Sequence, residues 1–305
     1  MYSFIDLFCG IGGFRVALEK NGLECVYSSD IDACVQEVYK KNFGDKPDGD
    51  IIEVPTNRIP KHDVLCAGLP YCSDFDLKRR LFDEVLRIAK YHQPYILLLD
   101  NVKEILTQSN GALINEMETK LATIGYDLHS SLLNASFFGI PQSREIVYFV
   151  GIRRDVKGTL RYNKPKETMK QVFLDNILEK DVEEDLFVPY NEVSLNKENI
   201  KDLTNELKPV EIGLFKDGSN GITRRIYSPV GHSTMLLADN KGIGAETGLY
   251  AVENGVRCLT IPECKSIMGF PPRHHISDGN KGYYQLSNSI IPNMVKCVWD
   301  SIKIK

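Results

Sequence analysis

"SFIDLFCGIGGF", residues Ser3 to Phe14, sets the architecture of the whole chain. The run Ser3 to Phe8 predicts a buried strand, and glycines at 10, 12 and 13 break it. Apolar residues then recur at Phe14, Ala17 and Leu18, the i, i+3, i+4 spacing of a helix. A strand that passes through a glycine turn into a helix opens a nucleotide-type α/β fold, with backbone amides facing any ligand at the helix N-terminus. Alone, the pattern suits a tight strand-to-helix turn equally well.

Working outward, "ECVYSSDID" reads as a second strand ending in carboxylates, and "ACVQEVYKKNFG" as a short helix stopped by Gly44. "HDVLCAGLP", "PYILLLDNV" and "REIVYFVGI" are further strands, with helices at "RLFDEVLRIAKYH" and "INEMETKLATIGY". This alternation, to about residue 155, predicts a parallel, doubly wound sheet with ligands at the strand C-termini. From Tyr162 to Lys208 the chain is polar and poorly periodic, and "EIGLF", "RRIYS" and "GLYAVENGVRCLT" then predict short strands between glycines. The expectation is a catalytic domain from residues 1–175 and 287–305 and a smaller, mostly β domain from 176–286. The tail "NMVKCVWDSIKIK" is apolar enough to pack back on the first sheet.

The 305 residues, 43% of them hydrophobic, can bury a sizeable core. No apolar run approaches the roughly 18 residues of a membrane span, and "MYSFIDLF" carries no basic leader, so a cytoplasmic protein is expected. Eight cysteines without a CxxC pair or clustered histidines favour neither disulfides nor a metal site. A net charge of -4 argues against indiscriminate nucleic-acid binding but leaves room for a local basic surface. Candidates for one are Lys78 to Arg80 and the series Arg153, Arg154, Lys157, Arg161, Lys164, Lys166 and Lys170.

The strand-end acids sharpen the glycine loop's meaning. Asp30 stands where an acid takes ribose hydroxyls, and Asp50 in "GDI" can accept from an adenine amino group. With no phosphate-binding lysine, these favour a nucleoside-like cofactor over ATP.

"DLFCGIGGFRVALE", "SSDID", "GDI", "LPYCSDFD", "DNV", "GIPQSREIVY" and "SNSIIPNMV" stand in the order of the motifs of the DNA cytosine-C5 methyltransferases. The chain resembles that family over nearly its whole length, and "RRIYSPVG" with "PECKSIMGFP" is similar to the GCGC-recognising HhaI type. The resemblance implies a Rossmann-like, S-adenosylmethionine-dependent methyltransferase sheet, a target-recognition domain, and methyl transfer to C5 of a flipped-out cytosine in double-stranded DNA. It implies a cofactor pocket of Phe8, Gly10, Gly12, Gly13, Asp30, Ile31, Asp50, Pro70, Leu81, Asn288 and Ser289. Ile31 stands where the family usually carries a larger, often aromatic residue against adenine.

By the same resemblance the chemistry needs a thiolate to add to C6 of cytosine, an acid at N3, arginine at the base and a mobile loop. The implied catalytic residues are Cys72, Asp100 and Arg144. Each element departs from the family pattern. With Pro70 aligned without a gap, Tyr71 takes the nucleophile's place; with Tyr71 as an insertion, Cys72 is the nucleophile. Asp100 replaces a glutamate, and Ile146 replaces the second arginine. The stretch from Cys72 to Leu81 is shorter than the family's mobile loop by roughly ten residues. For DNA, Arg225 matches a base-reading arginine, and Ser219 and Asn220 lie where a gap-filling glutamine is placed. The sequence is compatible with an enzyme of impaired catalysis or with an inactive binder acting as a regulator or partner subunit. A cognate restriction endonuclease and a complementing chain are the further expected partners, with no metal.

Overall fold

A computed structural model describes residues 1–70, 74–156, 158–168, 171–196, 206–216, 224–237 and 247–304. They form two compact units, Met1–Leu133 with Glu145–Lys166 and Ile290–Lys305, and Asn134–Arg144 with Glu167–Ser289. The expected boundary at 175/176 falls inside the second unit, which also takes the excursion Asn134–Arg144. Among the described residues no helix is long and apolar enough to cross a membrane.

The first unit is built on a six-stranded sheet. Its strands are β1 (Ser3–Leu7), β2 (Glu24–Ser29), β3 (Val64–Gly68), β4 (Ile96–Val102), β5 (Tyr126–Asn134) and β6 (Glu145–Arg153), in the order β2-β1-β3-β4-β6-β5. β1 pairs in parallel with β2 and β3, and β3 with β4. The alternation predicts a parallel sheet, but the sheet is mixed: β6 runs antiparallel to β4. The link from β5 to β6 holds only a short turn, Ala135–Phe138, in place of a crossover helix, so the chain returns in the opposite direction.

The helices follow local chemistry. α1 (Gly13–Lys20) starts after Gly12, whose φ of 89° and absent Cβ admit the Phe43 ring; an added Cβ would lie 2.3 Å from it. α2 (Ala33–Phe43) is capped by Asp32, which accepts from the Cys34 and Val35 amides, and ends at left-handed Gly44. α3 (Phe75–His92) begins five residues before the predicted start, because the Asp74 side chain caps it by accepting from the Leu77 amide. α4 (Ala112–Thr123) completes the set and packs beside α3. The helix Pro292–Asp300 lies on α1, so the apolar tail returns to the first unit. Ile5, Leu7, Leu65, Leu97, Leu99, Phe149 and the buried faces of α3 and α4 share one core.

The second unit holds a six-stranded sheet in the order Phe187–Val188, Gly255–Arg257, Leu249–Val252, Arg225–Tyr227, Glu211–Phe215, Val193–Leu195. Ile212, Ile226, Leu249 and Val256 form its small core. After the Gly255–Arg257 strand the helix Ile261–Ile267 opens with a capping box between Thr260 and Glu263. Glu263 also takes both terminal nitrogens of Arg257, at 2.8 and 2.7 Å, in a fully buried ion pair.

Candidate functional site

At the C-terminal edge of β1 the chain bends with positive φ at Phe8 (54°) and Gly10 (54°). This turn is tied to the end of β2: the Gly10 amide donates to Asp30 Oδ2 at 2.9 Å, and Cys9 N donates to Ser29 O at 3.0 Å. Asp30 Oδ1 accepts from the Asp32 amide at 2.9 Å. Burial pushes the Asp30 carboxyl up from its ordinary range, while the two amide donors pull it down. Each carboxyl oxygen keeps a lone pair for a hydroxyl donor. Asp30 N donates to Asp48 O and Asp48 N to Ser28 O, so the loop bearing Asp50 is stitched to the same corner. Asp50 caps the short turn Ile51–Glu53 by accepting from the Ile52 amide at 3.0 Å.

The three glycines serve different ends. A Cβ at Gly13 would stand 2.6 Å from Ile290 O, so this glycine, like Gly12, lets protein pack against protein. At Gly10 a Cβ would meet nothing within 4 Å. That open space beside the turn is the cradle of the corner. Ile31 is exposed, a large apolar side chain at its rim. Leu81 is buried in the core that also holds Ile51 and Leu69 and against which Phe8 packs, and Pro70 lies exposed beyond β3. The first unit therefore carries Phe8, Gly10, Gly12, Gly13, Asp30, Ile31, Asp50, Pro70 and Leu81, of which Gly10 and Asp30 are directly bonded and the Asp50 loop is tied to the same corner. Asn288 and Ser289 belong to the second unit, where Asn288 ends the helix Gly279–Ser287 and its side chain donates to Tyr284 O at 3.0 Å.

The candidate cytosine-side residues divide. Cys72 and Tyr71 lie outside the described residues, as do Ser219 and Asn220. Asp100 is fully buried near the end of β4, beside Gly68, whose missing Cβ would stand 3.3 Å from Asp100 Oδ1. The next residue, Asn101, is buried and reaches Leu69 O at 3.5 Å, just before Pro70. Val102 pairs with Ile146 across β4 and β6, and Asp100 with Tyr148. Since alternate residues share a face, Asp100 and Ile146 lie on the same side of the sheet. Ile146 is fully buried there, an apolar group on the acid's own face.

Arg144, two residues away, falls in the other unit and is engaged there. Its Nη1 donates to Ser287 O at 3.0 Å and its Nη2 to Ser289 O at 3.4 Å, with Met268 Sδ 3.8 Å from Nη1. Ser287 O is one of the carbonyls left over at the end of a helix, so the guanidinium acts as a C-terminal cap. Arg225 is half exposed and pairs with Glu211 at 3.2 Å, while Arg224 lies over the Phe215 ring.

Part of the candidate basic surface is paired with acids, while Arg80, Arg161, Lys164 and Lys166 are exposed. Arg153 pairs with Asp155 and Arg154 with Asp127; Lys157 and Lys170 lie outside the described residues. Lys78 is buried and Arg79 is paired with Glu116. Burial pushes the thiols of Cys9, Cys66 and Cys264 well above their ordinary range, the behaviour of small core residues. Among the described residues no group of three or more His, Cys, Asp or Glu side chains could hold a metal ion.

Arg87 was not singled out from the sequence. It sits on α3 and binds the Asp50 loop from 36 residues away, donating to Ile51 O at 3.0 Å. Only its spacing from Glu84 is visible locally, so nothing in the sequence pointed to that partner.

A glycine turn joined to a strand-end acid, on a sheet with one reversed strand, defines a nucleoside-cofactor α/β protein carrying a second, largely β unit. The chain belongs to the C-5 cytosine-specific DNA methylase family, whose model matches residues 2–304. It is 36% identical to Type II methyltransferase M.HhaI of Haemophilus parahaemolyticus, over 97% of this chain and 92% of that protein. It is 31% identical to Type II methyltransferase M.MspI of Moraxella sp, over 99% of this chain and 71% of that protein. The fold is similar to a crystal structure of a Spodoptera frugiperda DNMT2 mutant, with TM-score 0.74 at 19% identity, covering 98% of this chain and 99% of that one.

Proposed function

We propose that this chain binds S-adenosylmethionine and duplex DNA in the cytoplasm and transfers methyl to cytosine C5 far more slowly than a family member with an unaltered active site. S-adenosylmethionine, when bound, supplies an electrophilic methyl group. The corner fits such a nucleoside cofactor: Gly10 leaves open space and Asp30 is already aligned by two amides. In this reading Asp30 holds the ribose, Asp50 meets the adenine amino group, and Ile31, Pro70 and Leu81 border the pocket. Asn288 and Ser289, in the second unit, are cofactor residues by the family resemblance alone, and Arg144 holds the Ser289 carbonyl there.

On the cytosine side Cys72 supplies the thiolate, and Asp100 shares a proton with N3. Ile146 is the observation that carries the attenuation: a buried aliphatic residue on the same sheet face as Asp100 offers no donor to the base. Loss of one such donor costs about 10²-fold or more. Arg225 contacts DNA by exchanging Glu211 for a guanine edge, and Ser219 and Asn220 approach the vacated base position. A second reading is favoured by Arg144's carbonyl bonds: with Arg144 engaged within its own unit and Ile146 in place of a second arginine, the protein binds cofactor and DNA as a regulator or partner subunit. A complementing chain that supplies the short loop, or a cognate restriction endonuclease, is the partner consistent with that reading.

Incubation with labelled S-adenosylmethionine and mixed unmethylated duplex DNA, followed by digestion to nucleosides, tests this. Slow formation of 5-methyldeoxycytidine, absent in Cys72→Ala, supports the attenuated enzyme. Cofactor binding without that product supports the binder. Transfer at the pace of ordinary enzymes refutes the attenuation.

A further inference from the structure

Arg87 lies on the inner side of α3, where Glu84 accepts from its Nε at 2.7 Å and from its Nη2 at 2.6 Å. That carboxylate fixes the plane of the guanidinium and leaves its remaining donors aimed away from the helix. Nη2 donates to Ile51 O at 3.0 Å, and Nη1 donates to Thr56 Oγ1. One turn and a half further on, His92 Nε2 donates to Thr56 O at 3.0 Å. α3 therefore grips both short turns of the segment between Asp50 and Ile59.

Ile51 O is a meaningful point of attachment. The same carbonyl accepts from Val54 N at 3.3 Å and closes the Ile51–Glu53 turn, whose first free amide is capped by Asp50. The direction of the Asp50 carboxylate thus depends on a turn held from beneath by a charged fork. Ile52 in that turn is exposed, so packing alone does not anchor its outer side.

We infer that Arg87 is a positioning residue that aims Asp50 at the base of the cofactor and thereby sets its preference for adenine over a 6-oxo purine. Adenine offers an amino donor to a carboxylate, whereas hypoxanthine presents an acceptor oxygen that the carboxylate repels. Misaiming Asp50 removes both effects and leaves the ribose contact at Asp30 untouched. The inference rests on the proposal that this corner binds S-adenosylmethionine.

Calorimetric titration of the intact chain with S-adenosylhomocysteine and with S-inosylhomocysteine tests it. The unaltered protein is expected to prefer the adenosyl compound. Arg87→Ala should weaken that compound by roughly tenfold, a loss in the range of a charge-assisted contact, and should leave the inosyl compound unweakened or slightly tighter as the repulsion is relieved. Arg87→Lys, which keeps the charge without the fork, should fall between. Asp50→Ala should erase the preference by itself, and adding Arg87→Ala should then change nothing further. Thr56→Val removes a single acceptor and should reduce the preference a few-fold; it serves if Arg87→Ala melts below the working temperature. Equal weakening of both compounds, or an unchanged preference, would overturn the positioning role while leaving cofactor binding intact. Binding of neither compound by the unaltered protein would overturn the cofactor reading and this inference together.

Discussion

Replacing Arg144 by alanine distinguishes a structural guanidinium from one that touches the base. In the structure Arg144 is buried and donates to Ser287 O at 3.0 Å and, less closely, to Ser289 O at 3.4 Å. A hydrogen bond from a charged donor contributes about 1.5–3 kcal/mol net, and the longer one contributes less, so about 2–4 kcal/mol of stability should be lost. Part of this arises because the carbonyl at the end of the Gly279–Ser287 helix is left without its cap. Denaturant unfolding at neutral pH reads the loss as a lower midpoint with unchanged slope. Arg144→Lys should recover only part, since a single ammonium cannot span both carbonyls. If Arg144→Ala unfolds within about 0.5 kcal/mol of the unaltered chain and loses only turnover, the cap is irrelevant and Arg144 acts on the base.

Other consequences follow from single positions. Gly10→Ala should fold, with a penalty of about 1 kcal/mol for a non-glycine residue at positive φ, yet lose cofactor binding in calorimetry. Gly12→Ala should be far less stable, because its Cβ meets the Phe43 ring. Burial holds the His62 imidazole down at about 4, below the ordinary 6.5, with Pro60 O opposing the shift and His92 adding to it. The unfolded chain therefore binds the extra proton first, and stability present above pH 6.5 should decline by up to about 3 kcal/mol as pH falls toward 4. His62→Gln should flatten that part of an acid-unfolding curve, and an unaltered curve would rule out His62 as its cause. Breaking the buried Arg257–Glu263 pair with Glu263→Ala should cost about 3–5 kcal/mol, while Arg257→Met with Glu263→Leu should restore much of it in the same denaturant assay.

Local signals carried much of the fold. The run into Gly10, the Gly44 stop and the aliphatic stretch of β4 can each be read from spacing and from glycine, because the forces that create them act within a few residues. The start of α3 was missed because its cap, Asp74, lies outside the apolar pattern used to find the helix. The reversal of β6 was missed because strand direction depends on the missing crossover helix, which periodicity does not record. Within the candidate corner, the place of Asp30 at the end of β2 was legible from the strand pattern, whereas Asp50 was read only from the short run "GDI" in the loop beyond α2. The carbonyl bonds of Arg144 and the grip of Arg87 were not legible, since both depend on partners remote in sequence. The same limit applied to the basic stretch, where Arg154 meets Asp127 only after folding.

In the proposed reading a competent cofactor corner coexists with a weakened cytosine side. The most direct test measures S-adenosylmethionine affinity and single-turnover methyl transfer to duplex DNA on one preparation, with Cys72→Ala and Asp30→Ala beside it. The account predicts cofactor binding that Asp30→Ala abolishes and Cys72→Ala leaves intact, with transfer slowed by at least about 10²-fold and removed by either change. Failure to bind the cofactor, or transfer that persists in Cys72→Ala, would contradict it.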